Sequence, residues 1–523
     1  MNQAHPDEHE RDGEDEDFDY LSQSNAPLLN EGSAGSPRRH KSGGYALTPK
    51  GRLRAYWLGI VVCLGGFLCG VLTLSSFEND FRYARDEATY VSSLAVGLQQ
   101  LGAFAACFAI WPITHKLGRR LAIVICSIMF IFGSLIQTVN THSTSAFFFG
   151  RVVAGVGLGG SSVVVPMYST EMTPKDIRGQ IGSLYQLMFT FGIFTSYWID
   201  YGMARSVSNT SSAQWQIPVG LQMLFAALLG IGTLTLKESV RWLTQNGRHK
   251  EAWESLKWIR ASDGRDVQAE MDEIRSGVER EAHARQGFQL KEMLQRGNAS
   301  RTVTGIAVFA AQQATGATAF AYFGPQYFKL LVGDKGNSDL LLTAIFGAVK
   351  VVACLAFVLF VADSVGRKAI LTGGALFMAA CQMTTAVVVK TYPADPEEDL
   401  TRSGVATVGL IYLFVIAYNF SWGPLVWPYV SEVMSLTTIF PARTREPGVA
   451  LGVASQWAGN LIFSLTTPYM IKHLGWGTFL LWGLFDVVIA AYSWYGLLET
   501  QGKSLEEITQ SHGDRGVDKN LED

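Results

Sequence analysis

Charge is scarce in this sequence, and neither sign prevails. Charged residues make up 17% of the 523, and the formal net charge is -3. That balance excludes a global field able to gather nucleic acid, and no basic stripe interleaved with aromatics supplies a local one. Cysteine is equally sparse: Cys63, Cys69, Cys107, Cys126, Cys354 and Cys381 are the six, all inside apolar runs. They read as small packing residues and exclude a disulfide-stapled scaffold. The nine histidines are scattered, none at metal-ligand spacing from Cys, Asp or Glu, so neither a metal site nor a cofactor is expected and an integral membrane enzyme is disfavoured. A phosphate loop is missing too, since Gly496 and Gly502-Lys503-Ser504 miss the required spacing by one residue, which argues against an ATP-driven pump. No apolar core follows a basic start at the amino terminus, so a cleavable signal peptide is not expected.

What the chain has instead is long apolar runs nearly free of charge. Tyr56 to Ser76, Val91 to Trp111 and Trp476 to Leu497 each offer about twenty residues, enough to cross roughly 30 Å of hydrocarbon. About twelve such runs begin near residues 56, 91, 121, 145, 181, 218, 303, 341, 369, 406, 447 and 476. Unsatisfied backbone groups are costly in lipid, so each run is expected to be a helix and the fold an all-α membrane protein. Arg38, Arg39, Lys41, Lys50, Arg52 and Arg54 precede the first run, and Lys116, Arg119 and Arg120 follow the second. The positive-inside rule then places both termini in the cytoplasm. On that orientation the loop after the fifth span lies outside, and it carries the glycosylation acceptor Asn209-Thr210-Ser211.

The soluble parts sort by composition. Residues 1–50 form an acidic, polar tail with runs at Asp7 to Glu10 and Glu14 to Asp19, expected to be disordered and cytoplasmic. Within it Leu28-Leu29 resembles a dileucine sorting signal, although Ser24 occupies the acidic position. Residues 51–236 hold six spans, 237–301 a charged helical linker, 302–497 six more spans, and 498–523 a second cytoplasmic tail. A weak repeat supports the division: Leu117-Gly118-Arg119-Arg120 follows the second span and Val365-Gly366-Arg367-Lys368 the eighth.

Several motifs in order resemble the sugar porter family of the major facilitator superfamily, over residues from about 50 to 510. They are Gly150-Arg151 with Gly155, Gly157, Gly159, Gly160, Pro166, Tyr168 and Glu171; Arg178-Gly179; and Glu238-Ser239-Val240-Arg241. Further on come Gln312-Gln313-Ala314-Thr315-Gly316, Ser421-Trp422-Gly423-Pro424 with Trp427 and Glu432, and Glu499-Thr500-Gln501-Gly502. The resemblance implies twelve transmembrane helices in two six-helix halves and a secondary transporter for a monosaccharide or sugar acid working by alternating access. It implies a cavity lined by Gln186, Gln312, Gln313, Asn419, Trp427, Gln456, Trp457 and Asn460. Amides offer donors and acceptors to hydroxyl groups, and indoles offer an apolar face to a sugar ring. It also implies a charge network at the inner gate, formed by Glu171, Arg178, Glu238, Arg241, Glu432 and Arg445. The turn residues Arg119 and Arg367 and the intramembrane Arg151 belong to the same gating set.

Departures from the family pattern sharpen the reading. Leu72 stands where proton-coupled members carry an acid, which leaves open whether protons are a second cargo or the protein is a uniporter. His115 replaces an acid near the first turn, Thr318 replaces a sugar-binding Asn, and residues 433–440 lengthen the link between Glu432 and Pro441. Lys350 sits near the middle of the eighth span, where an ammonium costs about 2.5 to 3.5 kcal/mol, too deep for its stem to snorkel. Its surroundings, Gly347-Ala348-Val349-Lys350-Val351-Val352, resemble the eighth span of fungal quinate and related sugar-acid porters. That implies an anionic substrate such as quinate or galacturonate. A structural pair with Asp486 of the twelfth span, or with backbone carbonyls, is the competing reading. A neutral-hexose facilitator and a transporter-like sugar sensor remain the alternative functions, and a fungal plasma membrane is the implied location.

Overall fold

The computed structural model describes residues 50, 53–54, 57, 75–83, 87–139, 142–173, 178–261, 265–285, 296–332, 338–361, 366–393, 401–427, 429–430, 445–497 and 499. For 178–185, 265–266, 281, 283–285, 296–302, 332 and 445–449 it describes the backbone alone. The expectations for Leu72, Glu432, residues 433–440, Cys63, Cys69 and most of both tails fall outside the described residues, as do the side chains of Arg178 and Arg445. All the described residues lie in one compact unit.

Among the described residues the structure is helical throughout. A short helix, α1 (Ser75–Phe81), precedes α2 (Ala88–Leu117), α3 (Arg119–Thr138), α4 (Thr144–Met172), α5 (Arg178–Ser206) and α6 (Ala213–Leu234). The linker contributes α7 (Val240–Gln245), α8 (His249–Arg260) and α9 (Arg265–Arg285). The remaining helices are α10 (Arg296–Ala314), α11 (Ala317–Val332), α12 (Ser338–Phe360), α13 (Arg367–Thr391), α14 (Arg402–Asn419), α15 (Arg445–Leu474) and α16 (Gly477–Gly496). Eight of them, α2, α3, α4, α6, α12, α13, α14 and α16, are long and apolar enough to cross a bilayer. With α5, α15 and the α10–α11 pair, eleven of the twelve expected spans lie within the described residues, and the first, near 56–76, lies almost wholly outside them. The four described cysteines are buried and unbonded.

Local chemistry sets the boundaries. Ser143 Oγ accepts from Ala146 N at the start of α4 and Thr401 Oγ1 from Gly404 N at the start of α14, satisfying amides with no partner inside the helix. Gly316 separates α10 from α11 at φ +79°, a conformation that side chains rarely adopt, and a Cβ there would lie 2.7 Å from the Trp482 ring. The seventh span therefore enters the protein as two helices meeting at an angle.

Two apolar cores follow. One gathers residues of α10–α16 and the segment after α14, together with Ile193 and Tyr197 of α5. The other gathers residues of α2–α4 and α6–α9, together with Val453, Ala454 and Trp457 of α15. Thus α5 and α15 each pack into the core of the opposite group: α5 lies against α12, and α15 lies against α2. Ser93 Oγ of α2 donates to Leu465 O of α15 at 2.7 Å.

Candidate functional site: a central cavity with one buried cation

A cavity opens between the two cores. From the first group it takes Ser162 of α4; α5 contributes Gln186, Phe189, Ile193, Ser196 and Tyr197. From the second it takes Gln312, Gln313, Thr318, Ala321, Tyr322, Lys350, Tyr418 and Trp427, and α15 adds Gln456, Trp457 and Asn460. The break at Gly316 is what turns both ends of the seventh span inward, so that Thr318 Oγ1 of α11 donates to Gln313 Oε1 of α10 at 2.7 Å.

Hydrogen bonds fix some of these amides and leave others for a ligand. Gln312 Nε2 donates to Trp422 O at 2.8 Å, and its Oε1 accepts from Gln456 Nε2 at 3.3 Å. Trp457 Nε1 donates to Ser162 Oγ at 3.0 Å, bridging the two groups of helices. Trp427 meets Phe309 edge-on with centroids 5.1 Å apart. Tyr197 OH donates to Ala321 O, closing α5 onto α11. By contrast, Asn460 Oδ1 is buried without a partner, and Gln186 and the Gln313 amide nitrogen make no protein hydrogen bond among the described residues. Unfilled amide valences on a cavity wall are the groups that hydroxyls satisfy.

Nine of the ten substrate residues expected from sequence therefore share this wall: Gln186, Gln312, Gln313, Thr318, Lys350, Trp427, Gln456, Trp457 and Asn460. Asn419 does not. It is fully buried at the end of α14, and its Nδ2 turns back to donate to Val415 O at 2.8 Å. Sequence reasoning missed Ser162, Ser196, Tyr197 and Tyr418.

Lys350 is 4% exposed, and its Nζ lies 5.8 Å from the centroid of the Tyr418 ring. No carboxylate stands among the described lining residues. Asp486 is not its partner: that carboxylate, fully buried on α16, makes no hydrogen bond or ion pair among the described residues, and α16 packs mainly against α13. Pairing of Lys350 with Asp486 is thus absent, while the other structural reading, a bond to backbone carbonyls, is untouched by this.

The charged residues cluster at one end of the helices. The Arg119 guanidinium grips Glu171 through two bonds of 3.0 Å, with both side chains nearly buried. Glu238 accepts from the amides of Arg119 and Arg120 at 2.9 and 3.1 Å, and Gly118, at φ +90°, leaves the room for it. Burial pushes the Glu238 carboxyl up from its ordinary range, offset in part by those amides. The second turn repeats the device: Glu499 accepts from Arg367 N at 2.8 Å and Lys368 N at 3.1 Å, beside Gly366. Arg241 is half-buried in the first turn of α7 nearby. The linker locks onto the same end: Arg260 pairs with Glu270 and donates to Met172 O at 3.1 Å, Trp242 Nε1 donates to His115 O, and Arg54 Nη1 reaches Trp258 O. Arg151 lies elsewhere, deep in α4, where its Nη1 donates to Gln99 Oε1.

This architecture has clear relatives. The family described as "Sugar (and other) transporter" matches residues 64–512. The chain belongs to that sugar transporter family. Its fold is that of the major facilitator superfamily: the structure of the proton:xylose symporter XylE bound to 6-bromo-6-deoxy-D-glucose aligns with TM-score 0.72 and 24% identity, covering 88% of this chain and 99% of that one. The quinate permease of Emericella nidulans is 29% identical over 456 residues, 84% of each chain. The high-affinity glucose transporter 1 of Candida albicans is 28% identical over 481 residues, 88% of this chain and 86% of that one. This sugar transporter is a multi-pass membrane protein, and it carries a sugar or sugar acid.

Proposed function

We propose that the solute is a small polyhydroxylated carboxylate of the quinate type, carried unchanged by alternating access of the two six-helix groups around the central cavity. The observation that carries this reading is the Lys350 ammonium in a cavity wall otherwise lined by uncharged side chains, many of them amides, hydroxyls and aromatic rings. An ammonium buried there is stabilised when a carboxylate enters, while Gln186, Gln313 and Asn460 satisfy hydroxyls and Trp427 and Trp457 cover the C–H face. The likeness to quinate permease supports the same solute. The neutral part of the wall, and the likeness to a glucose transporter, support hexose as the second reading.

On this reading residues 51–236 and 302–497 are the moving halves and 237–301 the cytoplasmic linker. The carboxylates Glu238 and Glu499, with Arg119, Glu171, Arg178, Arg241, Arg367, Glu432 and Arg445, form the inner gate; Arg151, toward the opposite end of α4 and bonded to Gln99, stands apart from it. Both termini face the cytoplasm of a cell whose plasma membrane holds the protein, and Asn209 outside carries a glycan. Exposed Asn209 supports this: its Oδ1 accepts from Gln214 Nε2 at 2.8 Å, which leaves Nδ2 for the sugar. The test is uptake of labelled quinate, galacturonate and glucose into cells that lack their own carriers. Uptake of the acids without glucose is expected; uptake of glucose alone gives the second reading.

A further inference from the structure

Asp200 is a carboxylate that nothing in the transport cycle described so far uses. It lies in the last turns of α5, is 2% exposed, and both of its carboxylate oxygens are buried without a hydrogen-bond partner. An ionised carboxylate is very costly in such a place, whereas the neutral acid is tolerated. Its position on the helix is informative. Ser196 and Tyr197, four and three residues earlier on α5, line the central cavity, so Asp200 lies on the same face one turn beyond the cavity wall. Ser196 also lines a second, smaller space between α5 and α6, with Thr195 and Ile199 of α5 and Gln222 of α6.

The ionisable groups around it are few. On α5 itself Arg205 Nη1 donates to Tyr201 OH. Helix α12, packed on α5, carries Lys350 in the cavity wall, Asp339 in its first turn and Cys354 opposite Thr190; α4 carries Arg151, bonded to Gln99, and at its far end Tyr168 and Glu171. Helix α11, which receives the Tyr197 hydroxyl, brings Tyr322, Tyr327 and Lys329, and α6 brings no ionisable group. None of them makes a hydrogen bond or ion pair with Asp200. Asp486, the other unpartnered acid, lies outside the cavity lining.

We infer that Asp200 is the proton-carrying residue of a symport in which one proton enters with each sugar-acid anion. The step is simple: a proton from water adds to the Asp200 carboxylate where the cavity is open to one side, and the neutral acid persists while the site is closed. It returns the proton to water when the other side opens. One anion and one proton sum to zero charge, so the cycle is electroneutral and answers to the pH gradient and not to the membrane potential. This deepens, and rests on, the sugar-acid reading of the cavity.

The experiment uses the full chain reconstituted in lipid vesicles with labelled quinate and, in parallel, labelled glucose. Wild type is compared with Asp200→Asn and Asp200→Glu in two assays, accumulation under a pH gradient and exchange against unlabelled solute without one. Wild-type vesicles with an alkaline interior are expected to accumulate quinate about tenfold per pH unit, unchanged when the membrane potential is clamped. Asp200→Asn is expected to keep exchange and lose accumulation, and Asp200→Glu to keep both. Accumulation by Asp200→Asn equal to wild type overturns the assignment. So does wild-type exchange with no response to pH, or loss of exchange together with accumulation in Asp200→Asn, which is what a merely structural role produces. If glucose alone moves, the sugar-acid reading falls, and electroneutral anion symport falls with it; the same gradient assay run with glucose still judges whether Asp200 carries a proton.

Discussion

The two turn glycines look equivalent in sequence, yet the structure predicts that replacing them has unequal consequences. A Cβ on either would lie 2.5 Å from a carboxylate oxygen, Glu238 Oε2 for Gly118 and Glu499 Oε2 for Gly366. Either alanine therefore displaces a carboxylate from two backbone amides at the start of a helix, α3 or α13. Hydrogen bonds to a charged group contribute about 1.5 to 3 kcal/mol, and that loss is common to both variants. The backbone separates them. Gly366 has φ −55° and ψ 136°, which any residue adopts, whereas Gly118 has φ 90° and ψ 172°, a region that belongs almost entirely to glycine. Forcing alanine there adds about 1 to 3 kcal/mol. The apparent unfolding midpoint of the purified protein in detergent should thus fall for both variants and fall further for Gly118→Ala. A Gly366→Ala midpoint as low as that of Gly118→Ala, or lower, refutes the reasoning.

Other outcomes follow from the same contacts. Glu270→Ala leaves the Arg260 guanidinium buried without its carboxylate, which should cost about 3 to 5 kcal/mol and loosen the linker, read as faster proteolysis between α8 and α9. Glu238 titrates with a definite sign. Its carboxyl is held above the ordinary value of 4.5, so the folded state holds that proton more tightly than the unfolded chain. Its stabilising effect is fully present below pH 4.5 and is lost as pH rises through the raised value. The stability difference between wild type and Glu238→Gln should accordingly shift in favour of the variant over that rise, and a pH-independent difference contradicts it. Asn209→Gln should increase electrophoretic mobility to that of enzymatically deglycosylated wild type; no difference contradicts the assigned orientation.

Much of this was legible because membranes demand simple patterns. Apolar runs of bilayer length mark α2, α3 and α12 whatever their neighbours, and the twin turns at Gly118 and Gly366 announce a duplicated plan. Lys350 was legible because a cation in an apolar run is costly anywhere except against protein or solute. What stayed hidden depends on packing. Ser162, Ser196 and Tyr418 are ordinary helix residues until α5 and α15 cross to the opposite cores and turn their faces to the cavity. The resemblance put Asn419 in the cavity, but at the end of α14 its amide caps its own helix. The role of Glu499 was within reach, since it stands to Gly366 as Glu238 stands to Gly118, but the partners are 132 residues apart in sequence and only the fold joins them. Nothing in the sequence singles out Asp200, and burial without a partner is visible only in three dimensions.

The central claim is that Lys350 reads a carboxylate in the cavity, and binding by the purified protein tests it most directly. Quinate and glucose affinities are measured for wild type and for Lys350→Met, which keeps the stem and removes the charge. A charge-assisted contact of about 1.5 to 3 kcal/mol predicts a loss of roughly tenfold to 150-fold for quinate, with glucose binding little changed. Unaltered quinate affinity in Lys350→Met would contradict the account and leave Lys350 a structural cation beside Tyr418.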